Sequence, residues 1–199
     1  ALRDVNLLGR GGAAFPVARK LDAIPTSGPI TVLVNGSEGE PASHKDRALM
    51  ATAPHLVIDG SLVVAHAVQA QTVTIVVHDL WAHGSLVQAV AERADTDIVS
   101  VVRTHDGFVG GEIRAVINGL NTGHAKPGGR RDLPHVQGLA RRPTFASNAE
   151  TFAQIALLTG MGVAEYARAG TPVEPGTSLV TLLGDVLRPG VVEVPNGTP

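Results

Sequence analysis

Three short runs of β-branched and aliphatic residues constrain this chain most: ITVLVNG at 30–36, TVTIVVHD at 72–79 and DIVSVVR at 97–103. They are nearly continuous rather than alternating, which suits parallel strands covered on both faces. PHLVIDGSLVVAHAVQA lies between the first two and is apolar nearly all round, so it predicts a buried helix. GSLVQAVAERA lies between the second and third, with Leu86, Val87 and Val90 apolar and charges opposite, and predicts an amphipathic helix. Strand, helix, strand, helix, strand is the order of a doubly wound α/β fold with a Rossmann-like parallel sheet.

After that unit, GGEIRAVINGL predicts a helix opening at a glycine pair, followed by a loop over 121–143 rich in Gly, Pro and Arg. NAETFAQIALLTG predicts a helix capped by Asn148. The character changes near GTPVEPGT (170–177), and SLVTLLGDVLRPGVVEV then reads as two strands joined by a turn at RPG. Two strands cannot form a stable domain alone, so the expectation is a first domain over 1–173 and the truncated start of a second over 174–199.

Composition narrows the function classes. Sixteen basic and eighteen acidic residues, no basic run and 3% aromatic residues argue against nucleic-acid binding. The most apolar stretch is broken by Asp59 and His66, so no direct membrane insertion is expected. With no signal-like segment at Ala1, a cytoplasmic location is expected, or one peripheral to a membrane complex. There are no cysteines, hence no thiolate metal site or iron–sulfur cluster in these residues. No HExxH or GxSxG occurs, and no metal site is expected.

Four polar loops could carry chemistry. In GRGGAAFP, Gly9, Gly11 and Gly12 allow close backbone approach to a ligand, a helix starting near Pro16 would aim its positive end at an anion, and Arg10 and Lys20 add charge. Taken alone, it reads better as a glycine turn leading into an amphipathic helix with solvated cations. VNGSEGEPASHKDR starts where the first strand ends, the edge at which open α/β sheets bind ligands. Asn35, Glu38 and Glu40 offer polar contacts there, with Lys45, Asp46 and Arg47 read as surface charges. HDGFVGGEI places Phe108, Gly111 and Glu112 at a helix start, and RPTFASNAET places Asn148 and Thr151 at another, a phosphate seat or an ordinary cap.

Taken in order, GRGGAAFP…K, VNGSEGEP…KDR, APHLVIDG, FVGGE, GL…RPTFASNAET and LRPGVVEVPNGTP resemble the flavin-binding subunit of bacterial NADH-quinone oxidoreductase. That family includes the flavin subunits of NAD-dependent hydrogenases and formate dehydrogenases. The resemblance implies a flavin-binding α/β domain followed by a ubiquitin-like β domain of the SLBB type, here only begun. It implies FMN and NADH as cofactors, hydride transfer from NADH to FMN, and single electrons passed to an iron–sulfur cluster on a partner subunit or on residues beyond this chain. By position it implies a nucleotide bed at Gly9, Arg10, Gly11, Gly12, Ala13 and Phe15, with Lys20 reaching the flavin region. Flavin contacts are implied at Asn35 and Glu38, a dinucleotide-facing carboxylate at Glu40, a second flavin block at Phe108, Gly111 and Glu112, and the flavin phosphate at Asn148 and Thr151.

The chain also departs from the family pattern. Ser37 stands where the family has Asp, Ile113 where it has a second Glu, and Ala23 and Leu133 where it has adenine-stacking aromatics. These changes leave two alternatives beside the NADH-oxidising reading: a non-catalytic scaffold, or a flavoprotein with a different electron donor.

Overall fold

A computed structural model describes residues 1–104, 112–124 and 133–199. Four strands, β1 (Thr31–Gly36), β2 (Thr72–Val77), β3 (Val99–Arg103) and β4 (Thr144–Asn148), form a parallel sheet in the order β3-β2-β1-β4. The order reverses between β1 and β4, so the sheet has its topological switch point there. The register sets Asn35 beside Asn148 at the carboxyl ends of these two strands.

Both faces of the sheet are covered, which is why its strands read as unbroken apolar runs. On one face Val32, Val34, Ile75, Val77 and Phe145 pack against α3 (Pro54–Val68), α4 (Leu80–Ala91) and α6 (Ala149–Tyr166). On the other, Leu33, Val76 and Ala146 meet Val116 and Ile117 of α5 (Ile113–Thr122). The two remaining helices, α1 (Val17–Asp22) and α2 (Lys45–Thr52), lie in the loops around the carboxyl end of β1. β3 and β4 are the edge strands, and β3 is only partly buried. Among the described residues, no single helix is long and apolar enough to cross a membrane.

Several sequence expectations need correction. β4 has no counterpart among them: only Thr144 in TFASN is β-branched, and the strand is fixed by pairing beside central β1 rather than by propensity. α4 begins at Leu80, not Gly84, because Asp79 caps it by accepting the Ala82 N–H at 2.9 Å. Its buried face is Ala82, Leu86 and Ala89, and Val87 is 46% exposed. α5 starts after the glycine pair, with Glu112 at its N-cap making no side-chain cap bond.

The C-terminal hairpin pairs β5 (Thr177–Leu182) with β6 (Gly190–Pro195) in antiparallel register. Its connection runs over 183–189, longer than a turn at RPG alone. The hairpin is tied to the α/β unit: β5 offers the Thr177 carbonyl to Arg10 Nη2 at 3.0 Å, and the Thr181 hydroxyl accepts the His44 N–H at 3.0 Å.

α3 and α6 approach closely at Gly60, where an added Cβ would overlap the Phe152 backbone carbonyl. Backbone on both sides cannot yield cheaply, so Gly60→Ala should cost about 3 kcal/mol of stability. Urea unfolding followed by circular dichroism checks this, and an unchanged midpoint would show that the two helices separate freely.

Candidate functional site

A cavity of about 510 Å³ opens at the carboxyl ends of β1 and β4. It brings together residues of all four loops singled out from sequence, the HDGFVGGEI stretch through Ile113 alone. Gly9, Arg10, Gly11, Gly12, Ala13, Phe15 and Lys20 line it from the N-terminal loop and α1; Asn35, Glu38 and Glu40 line it from the β1 end; Asn148 lines it from the β4 end. A second compartment of about 330 Å³ shares Gly11, Ala13, Lys20 and Ile113 with the first and adds Glu112. Phe108 and Gly111 lie outside the described residues. Ala23 and Leu133 line neither compartment.

The glycine loop is closed on itself and runs directly into α1, which Pro16 precedes as expected. Gly9 N–H donates to the Phe15 carbonyl at 3.0 Å, and Leu8 and Pro16 form an antiparallel bridge. The first amide of α1, at Val17, donates to the Leu7 carbonyl at 2.9 Å, so that one amide is already engaged by the protein. Gly12 has φ +87°, a conformation L side chains rarely adopt, and nothing lies within 4 Å of where a Cβ would project. The loop is anchored from behind: Thr151 is wholly buried, outside the cavity, and its hydroxyl accepts the Arg10 N–H at 2.9 Å. Thr151 thus positions the loop and does not seat a phosphate.

Beneath the cavity lies a buried charge cluster that sequence reasoning missed. Lys45 Nζ donates to Asp46 Oδ1 at 2.8 Å, Glu150 Oε2 at 2.9 Å and Asn148 Oδ1 at 3.1 Å, using all three of its protons. Asn148 Nδ2 donates to Asp46 Oδ2 at 2.6 Å and to the Asn35 carbonyl at 3.4 Å, while its Oδ1 also accepts the Glu150 N–H at 3.1 Å. Asn148 caps α6 as expected, but its side chain is committed to the cluster. Glu150 also accepts the Leu179 N–H at 2.7 Å, carrying the cluster into β5. Lys45 and Asp46 are therefore not the surface charges expected from sequence. Asp46 shares its helix face with Leu49 and Met50, three and four residues on, and that spacing was a readable sign of burial.

Two other expected ligand contacts are engaged by the protein. Glu38 Oε1 accepts from Ser43 Oγ at 2.8 Å and from the Asp46 N–H at 3.0 Å, capping α2. The Arg10 guanidinium turns toward the hairpin, donating to Thr177 and standing 4.0 Å from Glu150 Oε1. The Ser37 hydroxyl is buried, lines the cavity and, like Arg10 Nε, has no hydrogen-bond partner among the described residues. Asn35 Oδ1 accepts the Ser37 N–H at 3.0 Å, orienting both residues at the cavity wall.

Electrostatics separates the two lysines. Burial opposes the Lys45 charge, but Asp46 and Glu150 outweigh it and hold its pKa above the ordinary lysine value. Burial pushes the Asp46 carboxyl up, and Lys45 and Asn148, donating to its two oxygens, favour the ionised form. Among the described residues Lys20 has no such partner: Nζ donates only to the Ala146 carbonyl at 3.2 Å, and burial lowers its pKa. Because the folded state binds that proton less readily than the unfolded chain, Lys20 ionisation costs stability below its folded pKa, and the cost fades as pH rises through that value.

An open parallel sheet with a polar, glycine-edged cavity at its switch point defines a nucleotide- or cofactor-binding α/β module. Residues 2–157 match the family model described as the Nuo51 FMN-binding domain, and the chain belongs to that family. The chain is 32% identical over 213 residues to an NADH-quinone oxidoreductase subunit of Rhizobium meliloti (strain 1021), covering 98% of this chain and 51% of that protein. It is 30% identical over 215 residues to the corresponding NADH-quinone oxidoreductase subunit of Escherichia coli (strain K12), covering 99% and 48%. It thus spans about half the length of the curated relatives it matches. Its fold superposes on a chain of the NAD+-reducing [NiFe]-hydrogenase crystallised in the air-oxidised state, with TM-score 0.89 and 31% identity over all of this chain and 36% of that one.

Replacing Lys45 by Met would leave Asp46 and Glu150 buried without their cation, so Lys45→Met should cost about 3–5 kcal/mol. Chemical denaturation of the purified protein checks this, and a loss under about 1 kcal/mol, the value of an exposed pair, would contradict the buried-cluster reading.

Proposed function

We propose that this chain is the flavin-binding module of an NADH-oxidising electron-transfer protein, with FMN held between the 9–15 loop and the ends of β1 and β4. One observation carries the reading: the Ser37 hydroxyl is buried against the cavity wall without a partner among the described residues, at the point where the family has a ring-contacting carboxylate. A buried hydroxyl left unmatched costs free energy, and a polar ring edge in the cavity would complete it. The volume suits an organic cofactor. Bound flavin supplies the exchange between two-electron and one-electron chemistry.

The residues would divide the work as follows. Gly11 and Gly12 let the loop backbone approach the cofactor closely, and Thr151 fixes the loop through the Arg10 amide. Asn35 and Ser37 meet the polar edge of the ring. Lys20 offers the least neutralised cation of the cavity wall, suited to an anionic phosphate or reduced ring. Glu40, at the exposed rim, is placed to meet a dinucleotide. Lys45, Asp46, Asn148 and Glu150 hold these loops in register from below. Glu112 faces the smaller compartment from the start of α5. On the same reading, 174–199 begin a ubiquitin-like unit of the SLBB type. Electrons leave to an iron–sulfur cluster on a partner subunit or on residues outside this chain, in an assembly that is cytoplasmic or peripheral to a membrane complex.

One alternative has a specific observation behind it. Ala23 and Leu133 line neither compartment and Ile113 replaces a carboxylate, so the dinucleotide half is altered more than the flavin half. A flavoprotein with another donor would bind FMN without being reduced by NADH, and a scaffold would bind neither.

The test uses the protein with its native flanking residues, stripped of flavin and titrated with FMN by fluorescence, then mixed with NADH anaerobically. FMN should bind and its visible absorbance should bleach with NADH. Ser37→Ala should weaken FMN about 5–10-fold without lowering the melting temperature of the stripped protein. A protein that takes up no FMN would overturn the proposal.

A further inference from the structure

We propose that β5 is a positioning strand for the cofactor cavity, with Thr181 as the positioning residue of the loop between β1 and α2; this rests on the flavin-module reading above. β5 lines neither compartment. It nevertheless grips three of the segments that line the main cavity, one at every second residue. The Thr177 carbonyl accepts from Arg10 Nη2 at 3.0 Å and holds the 9–15 loop. The Leu179 N–H donates to Glu150 Oε1 at 2.7 Å and holds the start of α6 beside the end of β4. The Thr181 hydroxyl accepts the His44 N–H at 3.0 Å and holds the start of α2. Residues two apart along a strand present the same side, so one side of β5 carries all three ties.

Two of these ties use the β5 backbone. The third uses a side chain, and a short relay carries it to the cavity wall. His44 is the N-cap of α2, where a backbone amide has no acceptor within its own helix. Ser43, one residue before it, lines the cavity, donates its hydroxyl to Glu38 Oε1 at 2.8 Å and its N–H to the Glu40 carbonyl at 3.0 Å. Glu38 in turn accepts the N–H groups of Asp46 and Arg47 in the first turn of α2. The start of α2 therefore fixes residues 37–43, which place Ser37, Glu38 and Glu40 on the cavity wall. Without the Thr181 acceptor the His44 amide loses its anchor and the loop visits other positions. Only the fraction in the native position binds the cofactor, so the apparent affinity falls by that fraction. The hairpin thus contributes to cofactor affinity without touching the cofactor.

The protein with its native flanking residues is stripped of flavin and titrated with FMN as wild type, Thr181→Val, Thr181→Ser and Ser178→Ala. Valine removes the acceptor, and serine keeps it. Ser178 is the control: its hydroxyl donates to Asn196 Oδ1 at 2.6 Å, so its loss loosens the hairpin and spares the three ties. Thr181→Val should weaken FMN about 3–10-fold, and Thr181→Ser should stay within about twofold of wild type. Ser178→Ala should lower the melting temperature and leave FMN affinity unchanged. A readout independent of flavin is amide hydrogen exchange of the stripped proteins. Residues 37–44 should exchange faster in Thr181→Val than in wild type, and at the wild-type rate in Thr181→Ser. Unchanged FMN affinity in Thr181→Val, an equal loss in Ser178→Ala, no rescue by serine, or unchanged exchange at 37–44 would each overturn the proposal. A wild-type protein that takes up no FMN, with exchange at 37–44 still faster in Thr181→Val, would sink the flavin reading and uphold the role of β5 in placing the loop.

Discussion

The ammonium of Lys45, held by three acceptors beneath the sheet's carboxyl edge, is the interaction on which the site depends. Its partners come from elements far apart in sequence: Asp46 from α2, and Asn148 and Glu150 from the start of α6. Through Asn148 the cluster reaches the end of β1, and through Glu150 it reaches the C-terminal hairpin. Burying ions is costly, so such a cluster contributes little net stability compared with apolar packing. What it contributes is register. Two carboxylates, one ammonium and one amide satisfy each other in a single arrangement, and that arrangement fixes where the β1 loop and the β4–α6 turn stand. The 9–15 loop joins them through neighbouring Thr151 and the near approach of Arg10 to Glu150.

The fold was legible where burial on both faces left unbroken apolar runs, as in β1 and β2. It was illegible where tertiary pairing overrode local preference. β4 is five residues with one β-branched side chain, and its strand state follows from lying beside β1. The cavity was legible as a convergence of loops, since open parallel sheets bind at the carboxyl edge. What could not be read was which polar atoms are already used. Glu38 looks like a ligand contact in sequence and is an α2 cap in space, and Arg10 looks like a phosphate clamp and braces the hairpin. Spacing predicts which residues share a loop, not which donors and acceptors find each other across the fold. Asp46 is the exception, because its spacing to Leu49 and Met50 announced a buried face.

The two compartments share Lys20 and differ in the rest of their lining. The larger has Glu38, Glu40 and the ion-paired Lys45 at its wall, and the Ser37 hydroxyl is without a partner among the described residues. The smaller adds Arg114, His135 and Glu112 to an apolar lining from Ile24, Ile113 and Pro134. Of the residues that depart from the family pattern, Ser37 lies in the larger compartment and Ile113, next to Arg114, stands on the boundary between the two.

The most direct test of a single flavin cavity at the β1–β4 switch point is amide hydrogen exchange with and without FMN. Slowed exchange should be confined to residues 9–15, 36–40 and the first turn of α6, with α4 and β3 unchanged. Slowing centred on α4, β3 or the far end of the sheet, with the 9–15 loop unaffected, would contradict the account.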